Sequence, residues 1–443
     1  MIGKVALHTL GCKLNFSETS VIGKQFLSNG YEVVDFDEQA DVFVFNTCSV
    51  TENAEKECRQ LVRRVLRNNP EAYVIVTGCY AQLRPDEISE IEGVDAILGS
   101  NEKFNVFSIL QNFKKSDLAY IKVSPLDDLN KFGEAHSTDA DNRTRAYFKI
   151  QDGCDYNCSF CTIPLARGSS RSMNPQKAID EFKNLVELDY KEIIITGVNV
   201  GDYGKQFDIN LYDLLYEFVK VSGEFRIRIS SIEPNLLSDE IIDLIAEEEK
   251  ICSHLHIPLQ SGNPGILKAM QRRYSLKEYE NVITKAHERI YNLGIGVDVI
   301  VGFPGETEEQ FIDTHNYLRD LPVSYLHVFT YSERPDTKAI QLPGQVSIAE
   351  RKRRNKILRI LSEKKKHHFY EKMIGKETHV LFENELIDSK MKGFTTNYVR
   401  VENDFDKSLI NKLSKFKITG INSEGLCTGY LTDTKKSVEL ISS

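Results

Sequence analysis

The chain has 443 residues, of which 41% are hydrophobic and 27% are charged, and its formal net charge is −9. This length exceeds one ordinary hydrophobic core and indicates two or three domains. No apolar run approaches the roughly 20 residues that span a bilayer, and the N-terminus lacks the features of a signal peptide, so we expect a cytoplasmic protein without membrane segments.

The first segment alternates predicted strands with amphipathic helical patterns. Apolar runs bounded by turn residues predict buried parallel strands at KVALHT, DVFVFNT and AYVIVTG. The helical patterns between them are SETSVIGKQFLSN and AEKECRQLVRRVLRN. Residues 1–115 are therefore predicted to form a doubly wound α/β sheet, followed by a polar connection with one or two short strands.

The central segment, residues 140–368, again alternates strands and helices. The six predicted strands are YFKIQ, EIIITG, RIRIS, HLHIPL, GVDVIVG and YLHVFTY. A complete (β/α) barrel has eight such units, so six predict a partial (β/α)6 barrel.

A long basic helix, predicted over residues 351–373, leads into the C-terminal segment. Residues 350–370 contain nine Lys and Arg against two Glu, which fits either a solvated helix face or a surface for a polyanion. Short predicted strands follow, at THVLFEN, TNYVRV, KFKITGI and GLCTGYLT. We expect residues 371–443 to form a small OB-like β-barrel.

The nine cysteines are odd in number, which favours metal binding or catalysis over a disulfide framework in a cytosolic chain. Cys154, Cys158 and Cys161 form a CxxxCxxC run just after the first barrel strand. A zinc site would want a fourth ligand nearby. Three thiolates on a [4Fe–4S] cluster leave one iron open, and this iron can chelate S-adenosylmethionine (SAM) for reductive cleavage.

Three other cysteines each follow a predicted parallel strand directly, namely Cys12, Cys48 and Cys79. Strand C-termini lie along one edge of such a sheet, so these thiols should converge and hold a second cluster. Free cysteines are often core residues, but a packing role gives no reason why three cysteines should each directly follow a strand. Cys58, Cys252 and Cys427 lack this placement and are expected to be structural.

The motifs TLGCKLNFSETS, FNTCSVTENA, TGCYAQ, IQDGCDYNCSFCTIPLARGSSRS, HIPLQSGN and VGFPGETEE resemble those of the radical SAM methylthiotransferases. The resemblance implies two [4Fe–4S] clusters, with SAM serving as methyl donor and as source of the 5′-deoxyadenosyl radical. It implies an electron donor such as flavodoxin or ferredoxin, and a C-terminal TRAM domain that binds RNA. It also assigns SAM contacts to Phe160, Gly197, Asn199, Ser230, Glu233, Gln260, Ile300 and Gly302.

The GCKLN motif resembles the family branch that modifies N6-threonylcarbamoyladenosine at position 37 of tRNA, where Lys follows the cysteine. The alternatives are an isopentenyladenosine tRNA, a ribosomal-protein aspartate, or a non-enzymatic metal-stabilised RNA-binding protein. We expect a monomer that binds the anticodon stem-loop.

His254 and His256 share one strand face and are expected to pack. The candidate substrate and RNA contacts are Lys13, Asn15, Arg167, Arg351, Arg353, Arg354, Phe394 and Tyr398.

Overall fold

A computed structural model describes residues 2–49, 52–129, 132–136 and 144–432. The α-helices are α1 Lys13–Ser28, α2 Glu52–Asn68, α3 Cys79–Leu83, α4 Pro85–Ser89, α5 Val106–Ile109, α6 Ile163–Arg167, α7 Pro175–Glu187, α8 Leu211–Val219, α9 Asp239–Glu247, α10 Pro264–Ala269, α11 Leu276–Arg289, α12 Glu308–Asp320 and α13 Ile348–Glu371. The strands of the first two segments are β1 Gly3–Thr9, β2 Tyr31–Val34, β3 Val42–Thr47, β4 Tyr73–Gly78, β5 Ala96–Leu98, β6 Tyr120–Lys122, β7 Ala135–His136, β8 Arg145–Lys149, β9 Gln151–Asp152, β10 Arg171–Ser172, β11 Glu192–Thr196, β12 Arg226–Ile229, β13 His254–His256, β14 Gly294–Val301 and β15 Tyr325–Thr330. The C-terminal strands are β16 Glu377–Phe382, β17 Lys390–Thr395, β18 Arg400–Asp404, β19 Leu413–Ile421 and β20 Cys427–Leu431.

The first six strands form one parallel sheet in the order β2-β1-β3-β4-β5-β6. Strands β3 and β4 are buried along their whole length. Helix α1 packs on one face of the sheet through Ile22 and Phe26, and α2 packs on the other through Val62 and Val65. The prediction of a doubly wound sheet is confirmed. Strands β2, β5 and β6 were missed because three or four residues carry too little periodicity.

The central strands form the predicted partial barrel. β8, β11 and β12 pair in parallel, as do β13, β14 and β15. Single bridges, Ile227 to Ile251 and Ser231 to His256, join the two groups. Helix α13 covers the free edge of β15, where the Asn355 side chain donates to the Val328 carbonyl at 2.9 Å. The edge strand is therefore protected from pairing with another chain.

The C-terminal strands close into a barrel in the order β16-β17-β18-β20-β19, as expected. TNYVRV was wrongly predicted as one strand, because its first two residues form a turn, Tyr398 has a positive φ of 69°, and the strand begins only at Arg400. The barrel docks on the N-terminal ends of β11 and β12. There, Arg226 and Arg228 donate to the carbonyls of His379, Phe394, Thr395 and Thr396. None of the helices in the described ranges is long and apolar enough to cross a membrane.

Candidate active site

The first sheet brings three cysteines to its C-terminal edge. Cys12 is the N-cap of α1, Cys48 directly follows β3, and Cys79 opens α3 after β4. These follow three neighbouring strands of the sheet. The loops approach closely, since a Cβ on Gly11, whose φ is +107°, would lie 3.0 Å from the Cys48 Sγ. Glycine is thus required where the loops carrying Cys12 and Cys48 meet.

The surroundings of these thiols contain a buried cation. Burial raises the pKa of Cys12, and the nearby Arg167 guanidinium lowers it. Arg167 also interacts with Cys79. A guanidinium and a helix N-terminus both stabilise thiolates, the form that binds metal. The site therefore offers three thiols and a compensating positive charge.

Arg167 belongs to a buried network that joins the sheet to the barrel. It pairs with Glu18 of α1 at 2.9 Å and with Asp152 of β9 at 3.0 Å. Lys149 and Lys103 also contact Glu18, at 3.0 and 2.5 Å. Each charge has an opposite partner in the protein interior, where an unpaired charge is costly, and the three cations exceed the two carboxylates by one. Since Arg167 and Asp152 flank the second cysteine loop, the network couples the two cysteine groups.

The second group lies in the loop after β9. Cys154 follows Gly153, which has a φ of +68° and no room for a Cβ against the Ser169 carbonyl. Backbone amides of Tyr156 and Ile163 donate to the sulfurs of Cys154 and Cys161, at 3.4 and 3.5 Å. Burial raises the pKa of Cys154 and of Cys161 to about 12. These thiols keep their protons at neutral pH until a metal displaces them.

Arg272 is a site residue that sequence reasoning missed. Its guanidinium donates to the Cys158 sulfur at 3.1 Å and pairs with Glu233. An arginine 114 residues from Cys158 carries no motif signal, so only the fold could reveal it. Glu233, expected to contact SAM, pairs with Arg272 through one carboxylate oxygen, and its backbone amide donates to the Asn199 Oδ1 at 3.3 Å. Its contact with SAM stays a prediction.

The predicted SAM contacts divide into two sets. Phe160, Gln260 and Ile300 line a cavity of about 200 Å³ that Cys161 also borders. Gln260 has a φ of +72°, a strained conformation typical of functional sites. Gly302 is not among the residues that line this cavity. Its amide donates to the Glu306 carboxylate, and a Cβ there would meet Arg351.

The second set lies at the ends of β11 and β12. Asn199 is anchored by its amide to the Gln151 side chain, and a Cβ on Gly197 would also meet Gln151. The Asn199 Nδ2 and the Ser230 Oγ are buried without a hydrogen-bond partner among the described residues. Orphaned polar atoms are costly. These atoms beside the cysteine loop fit a polar ligand such as SAM.

The predicted substrate contacts near the cysteines have different environments. Asn15 is buried and donates to the carbonyls of Leu10 and Thr47, while its Oδ1 accepts from Arg167. Asn15 and Arg167 therefore position the loops of Cys12 and Cys48. Lys13 instead lies near Arg145, Arg228 and Asp298 of the barrel, and burial lowers its pKa to about 8.

The structure corrects the expectation that Arg351 and Arg354 face RNA. Both are buried, with Arg351 paired to Glu333 at 2.5 Å and Arg354 to Glu306 at 2.7 Å. Arg353 is exposed but is held by Glu308 and Glu350. A guanidinium already saturated by carboxylates gains little from phosphate. Among the described residues, Lys352, Lys356 and Arg359 have neither an ion pair nor a side-chain hydrogen bond.

Phe394 and Tyr398 stack on each other, with ring centroids 4.5 Å apart. The Arg145 and Arg400 guanidiniums lie over Phe394, and that of Arg228 lies over Tyr398. Both rings are only half-buried, so they stand at the junction of the two barrels.

A second unpredicted cluster lies inside the central barrel. His256 and His327 both contact Asp298, with N–O distances of 3.1 and 3.4 Å. The expectation that His256 only packs is wrong, because its ring nitrogens face Asp298 and Ser231. His254 is buried beside Tyr398, with ring centroids 4.6 Å apart and the rings tilted by 33°, and its Nε2 lies 2.9 Å from the Tyr325 hydroxyl.

Comparisons with known proteins agree with this architecture. Residues 148–318 match the radical SAM superfamily, and residues 4–99 match the uncharacterized protein family UPF0004. The radical SAM methyltransferase TsrM from Kitasatospora setae is similar in fold, with a TM-score of 0.55 and 14% identity, covering 76% of this chain and 74% of that one. The barrel and its cysteine loop thus define a radical SAM enzyme, which uses SAM and [4Fe–4S] clusters.

Relatives that match this chain over most of its length show which family of radical SAM enzymes it belongs to. Threonylcarbamoyladenosine tRNA methylthiotransferase MtaB from Bacillus subtilis is 39% identical, covering 94% of this chain and 93% of its own. The protein of the same name from Aquifex aeolicus is 38% identical, covering 90% and 97%. A tRNA-2-methylthio-N(6)-dimethylallyladenosine synthase from Clostridium botulinum is 33% identical, covering 96% of each. The chain belongs to the radical SAM methylthiotransferase family, and the alternative of a non-enzymatic RNA-binding protein is set aside.

Proposed function

We propose that the enzyme methylthiolates C2 of N6-threonylcarbamoyladenosine at position 37 of tRNA, next to the anticodon, giving 2-methylthio-N6-threonylcarbamoyladenosine. The carrying observation is the pair of cysteine trios coupled through Arg167, in a chain 39% identical over 94% of its length to a protein named for this reaction. The related dimethylallyladenosine synthases favour a second candidate, isopentenyladenosine tRNA. A ribosomal-protein aspartate is the third.

Within this proposal each trio has its own role. Cys154, Cys158 and Cys161 hold the SAM-binding [4Fe–4S] cluster, and Cys12, Cys48 and Cys79 hold the auxiliary cluster. When bound, these groups supply the electron, the 5′-deoxyadenosyl radical and the methylthio sulfur. Phe160, Gln260 and Ile300 wall the SAM cavity, while Gly197, Asn199 and Ser230 present polar atoms from the other side. Arg272 donates to the Cys158 sulfur and pairs with Glu233, and it therefore positions both side chains beside the SAM site.

The tRNA is bound by the outer face of α13 and by the C-terminal barrel. A groove of about 820 Å³ runs between them and is lined by Lys352, Lys356, Arg359, Lys364, Lys366 and the Gly425 loop. Phe394 and Tyr398, expected to stack on bases, instead stack on each other and under the guanidiniums of Arg145, Arg228 and Arg400, so they support the junction of the barrels. Residues 1–115, 140–368 and 371–443 act as the auxiliary-cluster, radical SAM and TRAM domains. The enzyme works as a cytoplasmic monomer with flavodoxin or ferredoxin as electron donor.

Mass spectrometry of tRNA nucleosides tests the proposal. Cells lacking the gene should lose 2-methylthio-N6-threonylcarbamoyladenosine and accumulate the unmethylthiolated form. Restoring the gene should reverse both changes. Loss of the methylthio-isopentenyl nucleoside instead would assign the enzyme to the second candidate, and unchanged tRNA together with an altered ribosomal protein would assign it to the third.

A further inference from the structure

The barrel interior holds a polar cluster that the cysteine sites do not use. It is formed by His256 of β13, Asp298 of β14 and His327 of β15, whose donor atoms lie within 4.8 Å of one another. The Ser231 hydroxyl is 2.8 Å from the His256 Nδ1 and fixes that ring. Three adjacent parallel strands thus present hydrogen-bonding groups to one space.

This cluster borders the cavity next to the second cysteine loop. Asp298 lines the same 200 Å³ cavity as Phe160 and Cys161. The His327 side chain is 51% exposed, so it has capacity for another partner. A group held here would lie beside the place where the proposed radical forms.

The charges around the cluster favour an anion. Lys13 approaches Asp298 from the first domain, and its ammonium has no hydrogen bond or ion pair within the described ranges. Arg145 and Arg228 also approach Lys13, but both already pair with Glu192, so Lys13 rather than these arginines is available to an anionic group.

We infer that Lys13, His256, Asp298 and His327 form a subsite that binds the threonylcarbamoyl group of the modified adenine. This inference rests on the proposed function and deepens it. The substrate carboxylate accepts hydrogen bonds from the Lys13 ammonium and the His327 imidazole. The ureido N–H and the threonyl hydroxyl donate to the Asp298 carboxylate. An isopentenyl group would leave all these groups unpaired and would therefore be rejected.

The test uses the cluster-loaded enzyme with Lys13→Met, Lys13→Arg or His327→Leu, and Lys277→Met as the exposed-lysine control. Each is assayed on tRNA carrying threonylcarbamoyladenosine and on tRNA carrying isopentenyladenosine, and iron is measured in each. Lys13→Met and His327→Leu should each lower the ratio of the two kcat/KM values by about 100-fold. Lys13→Arg should keep most of the ratio, and the control should match wild type.

Equal losses on both tRNAs would overturn the subsite. The effect of the Lys13 substitution would then be explained by a lost contact to an RNA phosphate or by disturbance of the Cys12 loop. An unchanged ratio with His327→Leu would also overturn the subsite. So would a stoichiometric divalent metal that His327→Leu removes, since the triad would then be a metal site. If wild type itself fails on threonylcarbamoyl tRNA, the proposed function fails instead.

Discussion

At the scale of single residues, the cysteines differ in how local their arrangement is. Cys154, Cys158 and Cys161 lie in one loop, whereas Cys12, Cys48 and Cys79 depend on the order of β1, β3 and β4 in the sheet. Cys58 and Cys252 are fully buried in hydrophobic clusters or beside them. Burial raises the pKa of Cys58 to about 12, and no strand end brings it toward the trio. Position in the fold therefore separates the thiols proposed to hold the clusters from those expected to be structural.

Substitution of the trios should separate two activities. Cys48→Ala should leave reductive cleavage of SAM to 5′-deoxyadenosine intact but abolish the methylthio product, because only the auxiliary site is lost. Cys158→Ala should abolish both, because the electron then has no path to SAM. Chromatography of 5′-deoxyadenosine and of tRNA nucleosides measures both products. Cys58→Ala is the control, and an effect as large as that of Cys48→Ala would refute the strand-end argument.

Arg167 allows a prediction about stability. Arg167→Met would remove the guanidinium that donates to both Glu18 and Asp152, while Lys103 and Lys149 still pair with Glu18. The lost charged hydrogen bonds should cost about 1.5–3 kcal/mol. Chemical denaturation of the cluster-free protein should show this loss. The exposed pair of Arg64 and Asp37 offers a matched control, and Arg64→Met should cost about 1 kcal/mol or less. Similar losses for both variants would show that the buried network contributes nothing special.

At the scale of elements, α13 has two faces with different tasks. Its inner face packs Leu358 and Leu361 against the barrel and buries Arg351 and Arg354 in ion pairs. Its outer face carries unpaired cations. The sequence predicted the helix well, since the charge run and periodicity are long. It could not assign the arginines to faces, because Glu306 and Glu333, their partners, lie on other elements.

Neutralising the outer face should weaken tRNA binding. The triple change of Lys352, Lys356 and Arg359 to Gln should lower affinity and reduce the slope of log Kd against log salt by about 3, because each phosphate contact releases counterions. Titration by fluorescence anisotropy at several salt concentrations measures both. Arg353→Gln is the paired-cation control and should change the slope little. An unaltered slope in the triple variant would mean that the face is merely solvated.

The order of the elements along the chain decides how much of the site could be predicted from the sequence. The six cysteines and the barrel strands were accessible because their signals are local or follow from parallel-sheet topology. Arg272, His327 and Asp298 were not, because each functions through contacts between strands or loops far apart in sequence. The strand Lys390–Thr395 was missed because glycine and lysine interrupt its alternation.

At the scale of the whole molecule, Glu192 joins the two barrels. It is fully buried and pairs with Arg226 and Arg228, which donate in turn to carbonyls of the C-terminal barrel. These arginines hold the pKa of the Glu192 carboxyl well below its usual range. Its stabilising charge is therefore present above the unfolded-state pKa of about 4.3 and is lost as pH falls below it.

Glu192→Gln should loosen the junction, because two buried guanidiniums lose their counterion. Thermal unfolding of the cluster-free protein at pH 7 should occur at a lower temperature than in wild type, and limited proteolysis should cut faster near residue 375. As pH falls below about 4, wild type should lose stability more steeply than the variant, which has no charge to lose there. Parallel pH profiles would show that Glu192 does not contribute to acid sensitivity.

The two cysteine trios differ in placement, since one lies in a single loop and the other along a sheet edge. This difference sets the order in which the two cluster sites can form. The cysteines of the CxxxCxxC loop lie within eight residues, so an unfolded chain already presents them together. The thiols of Cys12, Cys48 and Cys79 meet only after three strands have paired. Biogenesis can thus begin at the loop during synthesis, whereas the auxiliary site must wait until its domain has folded.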